Sequence, residues 1–160
     1  MSEAYHRLIE HFTKNGVQFE EIEHPPAASA EEYSRVVGSA LREQAKALLL
    51  RRYRRAGGKD FVLHSLPGDQ RGDLDALTEV LDAKRLRMAN AGELAEATGC
   101  TFGELPSVGS IFGIPLSMDA RLLAQPRIFF NAGALDRSVV LDPQQLKALE
   151  SPIVVAATAT

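Results

Sequence analysis

Between Gly99 and Asp119 the chain reads GCTFGELPSVGSIFGIPLSMD, and no other stretch restricts its folding choices so tightly. Gly99, Gly103, Gly109 and Gly113, with Pro106 and Pro115, are interleaved with Phe102, Leu105, Val108, Ile111, Phe112 and Ile114. Glycine permits close backbone approach, while proline fixes φ and removes a donor. A surface linker would be polar, whereas this segment is punctuated like a loop and as apolar as a core. Two readings fit it. One is an ordered loop packed on the fold that offers backbone N–H groups to a small ligand. The other is an irregular connection that crosses the core and binds nothing.

The 160 residues suit a single domain, 1–160, which buries roughly two thirds of its unfolded surface. No run approaches the ~18 apolar residues of a membrane helix, so no membrane partner is expected. The opening MSEAYHRLIEHF carries His and Glu where a signal peptide needs an apolar centre. Cys100 is the single cysteine, which excludes an internal disulfide and any cysteine-rich zinc site. A cytoplasmic home follows as the expectation. A net charge of -3 argues against a general nucleic-acid coat, so any nucleic acid must meet a local basic patch.

Along the chain, Tyr5, Leu8, Ile9 and Phe12 recur at helical spacing over 4–14, and Val17 to Glu23 alternates as a strand. Ser29 with Glu32 forms a capping-box pattern for a helix ending near Gly38. The runs 45–52 and 61–66 are expected to pair as central strands across a hairpin turn at 54–59. Asp73 caps a helix through Leu81, 85–89 is a brief strand, and Asn90 with Glu93 opens a helix stopping at Gly99. A short extended piece at 116–118 and a helical turn at 120–124 follow. The runs 127–131 and 138–141 form a second hairpin, and Asp142-Pro143 opens a last helix to Leu149. Residues 151–160 read as a frayed end or an edge strand. Helices and strands mix without strict alternation or repeat, which gives an α+β class.

Familiar catalytic motifs are missing. There is no GxxxxGK[ST] loop, no HExxH, no GxGxxG between strand and helix, and no nucleophile elbow. His6, His11, His24 and His64 lack metal-ligand spacing, and the first two read as surface residues on a helix. Lys46 stands out as a lone charge in the apolar run AKALLLR. A compact ammonium there suits a carbonyl or phosphate oxygen, unless it snorkels to water from the strand end. Arg51, Arg52, Arg54, Arg55 and Lys59 make the densest basic cluster, either a solvated hairpin tip or a phosphate-backbone contact.

AKALLLR, FVLHSLPGDQRGDLDAL, LRMANAGELAEATGCTFGELPSVG, IPLSMD, IFFNAG and SVVLDPQQL, in that order, resemble the YbaK/prolyl-tRNA synthetase-associated editing-domain family from about His24 to Leu149. The resemblance implies a mixed, barrel-like sheet ringed by helices, acting on misacylated tRNA. Free-standing members hydrolyse the ester between a wrong amino acid and the 3′-terminal adenosine, without metal or organic cofactor. On that basis Lys46 and Asp119 are the expected catalytic residues. Gly103, Glu104, Leu105, Pro106 and Ser107 match the family's glycine-to-proline loop, and Asn131 to Gly133 line the same cavity. The basic cluster becomes the expected tRNA contact. Ser107 stands where the family motif ends in proline, and Leu135 where related members often carry histidine. Both departures bear on the amino-acid pocket.

The chemistry asks little of the protein. A synthetase pocket separates ligands differing by one methylene by only ~1–3 kcal/mol, so a second site that destroys wrong products raises fidelity. An aminoacyl ester is already activated and needs only holding, an oxyanion donor and a placed water. The expected function is therefore a trans-editing deacylase for a small non-cognate amino acid. The alternative is a non-catalytic module that docks tRNA or a synthetase. A general DNA-binding role fits poorly with the acidic balance and the lack of a recognition helix.

Overall fold

A computed structural model describes residues 1–156. Helix α1 (Glu3–Lys14) starts where the Ser2 side chain accepts from the Tyr5 amide, and it buries Ala4, Tyr5, Leu8 and Phe12. Strand β1 (Phe19–Glu23) begins two residues later than the sequence pattern predicts, because the Val17 amide still donates to the Phe12 carbonyl at the helix end. Helix α2 (Ala30–Val37) carries the expected Ser29 cap.

The hairpin of β2 (Ala45–Arg54) and β3 (Lys59–Pro67) pairs without a break from Ala45 opposite Pro67 to Tyr53 opposite Lys59. Helix α3 (Leu74–Val80) leads through a tight turn at Asp82, whose φ is 53°, into β4 (Ala83–Met88). That turn starts β4 ahead of the expected 85–89. Helix α4 (Ala91–Thr98) opens with the full Asn90–Glu93 capping box. Then come β5 (Leu116–Asp119), α5 (Ala120–Leu123), β6 (Ile128–Asn131), β7 (Arg137–Leu141), α6 (Pro143–Glu150) and β8 (Ile153–Val155). The edge-strand reading of the C-terminal segment holds for β8, and residues 157–160 lie outside the described part.

The class is α+β, with the strands divided between two sheets. One has the order β4-β2-β3-β5-β8, with β5 parallel to both β3 and β8; the other is the antiparallel β1-β7-β6. The runs expected to be central, β2 and β3, do lie inside the larger sheet. Among the described residues a single bridge, Gln44 to Phe129, links the two sheets and no closed barrel forms.

Strand alternation decides what each face buries. In β2 and β3, Ala45, Leu49 and Leu63 face the main core with β6, β7 and α1, while Leu50 and Val62 face a second cluster with Leu77 and Leu81 around α3. On the smaller sheet, Phe129 turns away from the main core towards Tyr33 and Val37 of α2. Each sheet thus has a helix on its outer face and shares its inner face with the other. No helix among the described residues is long and apolar enough to cross a membrane.

Candidate active site

A cavity of about 240 Å³ opens at the seam between the sheets. Its walls come from the start of β2 (Ala45, Lys46, Ala47), the end of β6 (Phe129, Phe130, Asn131), the first turn of α2 with Tyr33, and the loop residues Gly103 and Leu105. Four residues expected from sequence, Lys46, Gly103, Leu105 and Asn131, therefore meet in one place from three separate parts of the chain. Gln44, Tyr33 and the alanines at 27, 28 and 30 join them without any sequence signal of their own.

Burial pushes the Lys46 ammonium below the usual lysine range, and the nearby charge of Asp69 opposes that shift. Lys46 is half-buried. Alternation puts it on the face of β2 that also carries Leu48 and Leu50. One step on from the Ser65–Met118 pair, Asp119 of β5 lies on that same face. Two strand spacings separate Lys46 and Asp119, about 10 Å at Cα.

Asp119 does not line the cavity. It is 1% exposed, and both carboxylate oxygens are taken by Arg121: Oδ1 accepts from its amide and Nε at 2.9 and 3.1 Å, and Oδ2 from a terminal nitrogen at 2.8 Å. It caps α5 with the side chain that the sequence reading assigns to chemistry.

The loop is held by its neighbours rather than by regular structure. Asn131 Nδ2 donates to the Gly103 carbonyl at 2.5 Å. Ser138 Oγ lies 3.1 Å from Asn131 Oδ1 and 2.7 Å from both Tyr33 Oη and His24 Nε2. Asn131 Oδ1 can only accept, so Ser138 donates to it and Tyr33 donates to Ser138, while the His24 ring bridges Ser138 and the Pro25 carbonyl, 2.9 Å from Nδ1, with its tautomer setting which of the two it donates to. Burial pushes the Tyr33 phenol up, so it keeps the proton it donates. Ser138 itself is fully buried. This hub carries no signal in the sequence, because a serine inside the run SVVL looks like strand filler.

Ser107 anchors the other end. Its hydroxyl donates to the Ala45 carbonyl at 2.8 Å, which leaves Ser65 as the donor in the 2.8 Å Ser65–Ser107 contact. The departure from proline thus ties the loop to the strand residue beside Lys46. Glu104 stays within the loop, accepting from the Thr101 amide at 2.7 Å, and Pro106 is buried away from the cavity wall. Gly103 has a φ of 91°, a conformation that penalises any side chain, and a Cβ there would stand 3.1 Å from Leu135. The Leu135 departure therefore packs on the outside of the loop. Gly133 faces α1 instead: a Cβ on it would meet the Tyr5 nitrogen at 2.7 Å.

The basic cluster is largely self-neutralised. Arg52 reaches Asp60 with two bonds of 2.9 and 2.7 Å and the Leu81 carbonyl at 2.9 Å. Arg54 shares Asp60, Arg55 pairs with Glu79, and Arg51 stacks 4.2 Å over Phe61 beside Glu93. Arg54, Arg55 and Lys59 remain exposed at the hairpin tip. Lys46 and Arg54 lie eight strand residues apart, about 26 Å. His11, expected at the surface, is half-buried and ties α1 to Glu150 and Ser110, each at 3.0 Å. Burial pushes the Cys100 thiol up, leaving it unactivated. Among the described residues no group of three or more His, Cys, Asp or Glu side chains could hold a metal ion.

A family model described as "Aminoacyl-tRNA editing domain" matches residues 24–149. The chain belongs to the aminoacyl-tRNA editing-domain family. A relative from Escherichia coli strain K12, the multifunctional Ser/Thr-tRNA deacylase ProXp-y, is 32% identical over 152 residues, covering 94% of this chain and 90% of the relative. The protein of the same name from Escherichia coli O157:H7 matches to the same extent. Among solved structures, a candidate trans-editing enzyme for prolyl tRNA synthetase superimposes with a TM-score of 0.85 at 25% identity, over 100% of this chain and 99% of that one. The family span takes in every part of the cavity wall.

Proposed function

We propose that this chain is a free-standing editing hydrolase, one domain over residues 1–160, that cleaves the ester linking a small, hydroxyl-bearing amino acid to the end of a wrongly charged tRNA. The observation that carries this reading is the convergence of Lys46, Gly103, Leu105 and Asn131 on one small cavity in an editing-domain chain. The 32% identity to a Ser/Thr-tRNA deacylase supports the choice of amino acid, as does a cavity that mixes Ala and Leu walls with Tyr33, Asn131 and Lys46.

In the reaction a water oxygen bonds to the ester carbonyl carbon, the carbonyl oxygen gains charge, and the ester C–O bond then breaks as the ribose oxygen takes up a proton. The Lys46 ammonium and loop N–H groups supply hydrogen bonds where that charge develops. Asn131 acts by fixing the loop through Gly103, and Asp119 acts at one remove, as a cap that orders α5 beside Lys46. Glu104, Pro106, Ser107 and Gly133 shape the loop and its turn without touching substrate. The two sheets form a barrel-like enclosure around the charged end. Exposed Arg54, Arg55 and Lys59 reach the RNA backbone well away from the ester, and Arg51 and Arg52 hold the hairpin that presents them. The reaction takes place in the cytoplasm, with a synthetase as an optional partner.

A deacylation time course on tRNAs charged with serine, threonine, alanine and a cognate amino acid tests the reading. Serine or threonine should be released well above the spontaneous rate. Binding of charged tRNA with no release of any of them would make the protein a binding module instead.

A further inference from the structure

The loop that walls the amino-acid cavity has a second groove on its far side. Ala47, Gly103 and Leu105 border both, and beyond them the groove runs over Leu49, Met88, Leu94 and Phe102. Every residue bordering it is apolar, and its volume is about 200 Å³. Phe102 is 60% exposed and Met88 44%, whereas Leu105 through Val108 of the same loop are buried. An aromatic ring left in water beside a functional cavity costs apolar exposure for no packing gain within the fold.

We infer that this groove is the subsite for the base of the 3′-terminal adenosine, with the Phe102 ring as its stacking surface. The inference rests on the deacylase reading above. The ester joins the amino acid to the terminal ribose, so the base lies one sugar away from the amino acid. A groove that shares a wall with the amino-acid cavity lies at that distance. An apolar, uncharged groove with an exposed ring fits a flat π-face and offers nothing to read its edges, so the subsite favours a stacked base without selecting among bases. Phe102 acts on binding, not on the ester.

The test uses seryl esters of an acceptor-stem minihelix with either a terminal adenosine or an abasic terminal ribose. Stacking of one base corresponds to roughly 5- to 150-fold in affinity. Phe102→Ala should raise KM by about that factor on the adenosine substrate, with kcat little changed, and Phe102→Trp should restore it. On the abasic substrate the wild type should already show the raised KM, and Phe102→Ala should add nothing. Equal wild-type KM on the two substrates, or the same Phe102→Ala loss on both, would overturn the subsite while leaving the deacylase intact. Failure of the wild type to cleave either ester would remove the deacylase reading and the subsite with it.

Discussion

The side-chain amide of Asn131 grips the carbonyl of Gly103 across 28 residues of sequence, at 2.5 Å, and in doing so joins the end of β6 to the loop on the opposite wall. The grip is itself braced, since Ser138 donates to the other end of the same amide. Asn131→Asp keeps the acceptor for Ser138 but sets a carboxylate against a carbonyl. That variant should lose at least about 10-fold in kcat/KM from a loop shift of the order of an ångström, with little change in Tm. Ser138→Ala strands the buried Tyr33 hydroxyl, takes away the partner of His24 Nε2, and should cost about 1–3 kcal/mol of stability as well. Thermal melts beside deacylation rates separate the two effects, and an Asn131→Asp enzyme with full activity would show the grip to be incidental.

In the proposed mechanism Lys46 must be charged to stabilise the oxyanion, and burial lowers its pKa. Deacylation, corrected for the spontaneous rate, should therefore decline with rising pH through a point below the usual lysine range. Lys46→Met should lower kcat by about 100-fold or more and abolish that limb, by analogy with the loss of one oxyanion donor. Lys46→Met with the wild-type rate and pH profile would assign the ammonium a structural part only.

Leu105 is 7% exposed and borders the cavity proposed for the amino acid. Leu105→Val removes one methylene at a tolerable stability cost, whereas Leu105→Ala should cost about 2–5 kcal/mol. Enlargement should shift relative kcat/KM towards bulkier amino acids by about 10–200-fold. A panel of mischarged tRNAs reads the shift. A flat selectivity profile in Leu105→Val would place the size-determining wall elsewhere.

His64 is fully buried with Nδ1 2.8 Å from Ser117 Oγ, while its Nε2 has no hydrogen-bond partner. Burial pushes its pKa down from 6.5 to about 4, with Asp119 opposing. The folded state thus disfavours the protonated ring. Its stability contribution is complete above about pH 6.5 and drains away as pH falls towards 4, by about 3 kcal/mol at most. Denaturant unfolding of the wild type and His64→Gln at pH 7.5 and 4.5 checks this: the wild type should lose more stability than the variant. Equal losses would mean that the acid limb belongs to the carboxylates.

Local chemistry was the legible part of this sequence. The Ser29 and Asn90 caps, the two hairpins and the unusual loop each announce themselves within a few residues, because caps and turns depend on adjacent groups. The division into two sheets does not, since the parallel pairs of β5 with β3 and β8 join segments with no local signature of their pairing. Within the site, Lys46 and Asn131 were visible as polar residues closing or breaking apolar runs. Asp119 looked equally chemical, yet Arg121, two residues on, absorbs its charge. Ser138 and Tyr33 carry no such signal for the opposite reason, as their importance comes entirely from partners 7 to 114 residues away.

The cavity stands beside the backbone bridge between the two sheets, Gln44 to Phe129, and not inside either of them. Its dimensions therefore depend on how the sheets are docked as well as on which side chains face inward. Substitutions in the core that the two sheets share, such as at Leu8 or Val139, lie outside the cavity wall yet can slide one sheet on the other and resize the chamber by fractions of an ångström. A lineage built on this plan can drift between amino acids of neighbouring size while its wall residues stay the same, so comparing wall residues alone will underestimate how readily the substrate changes.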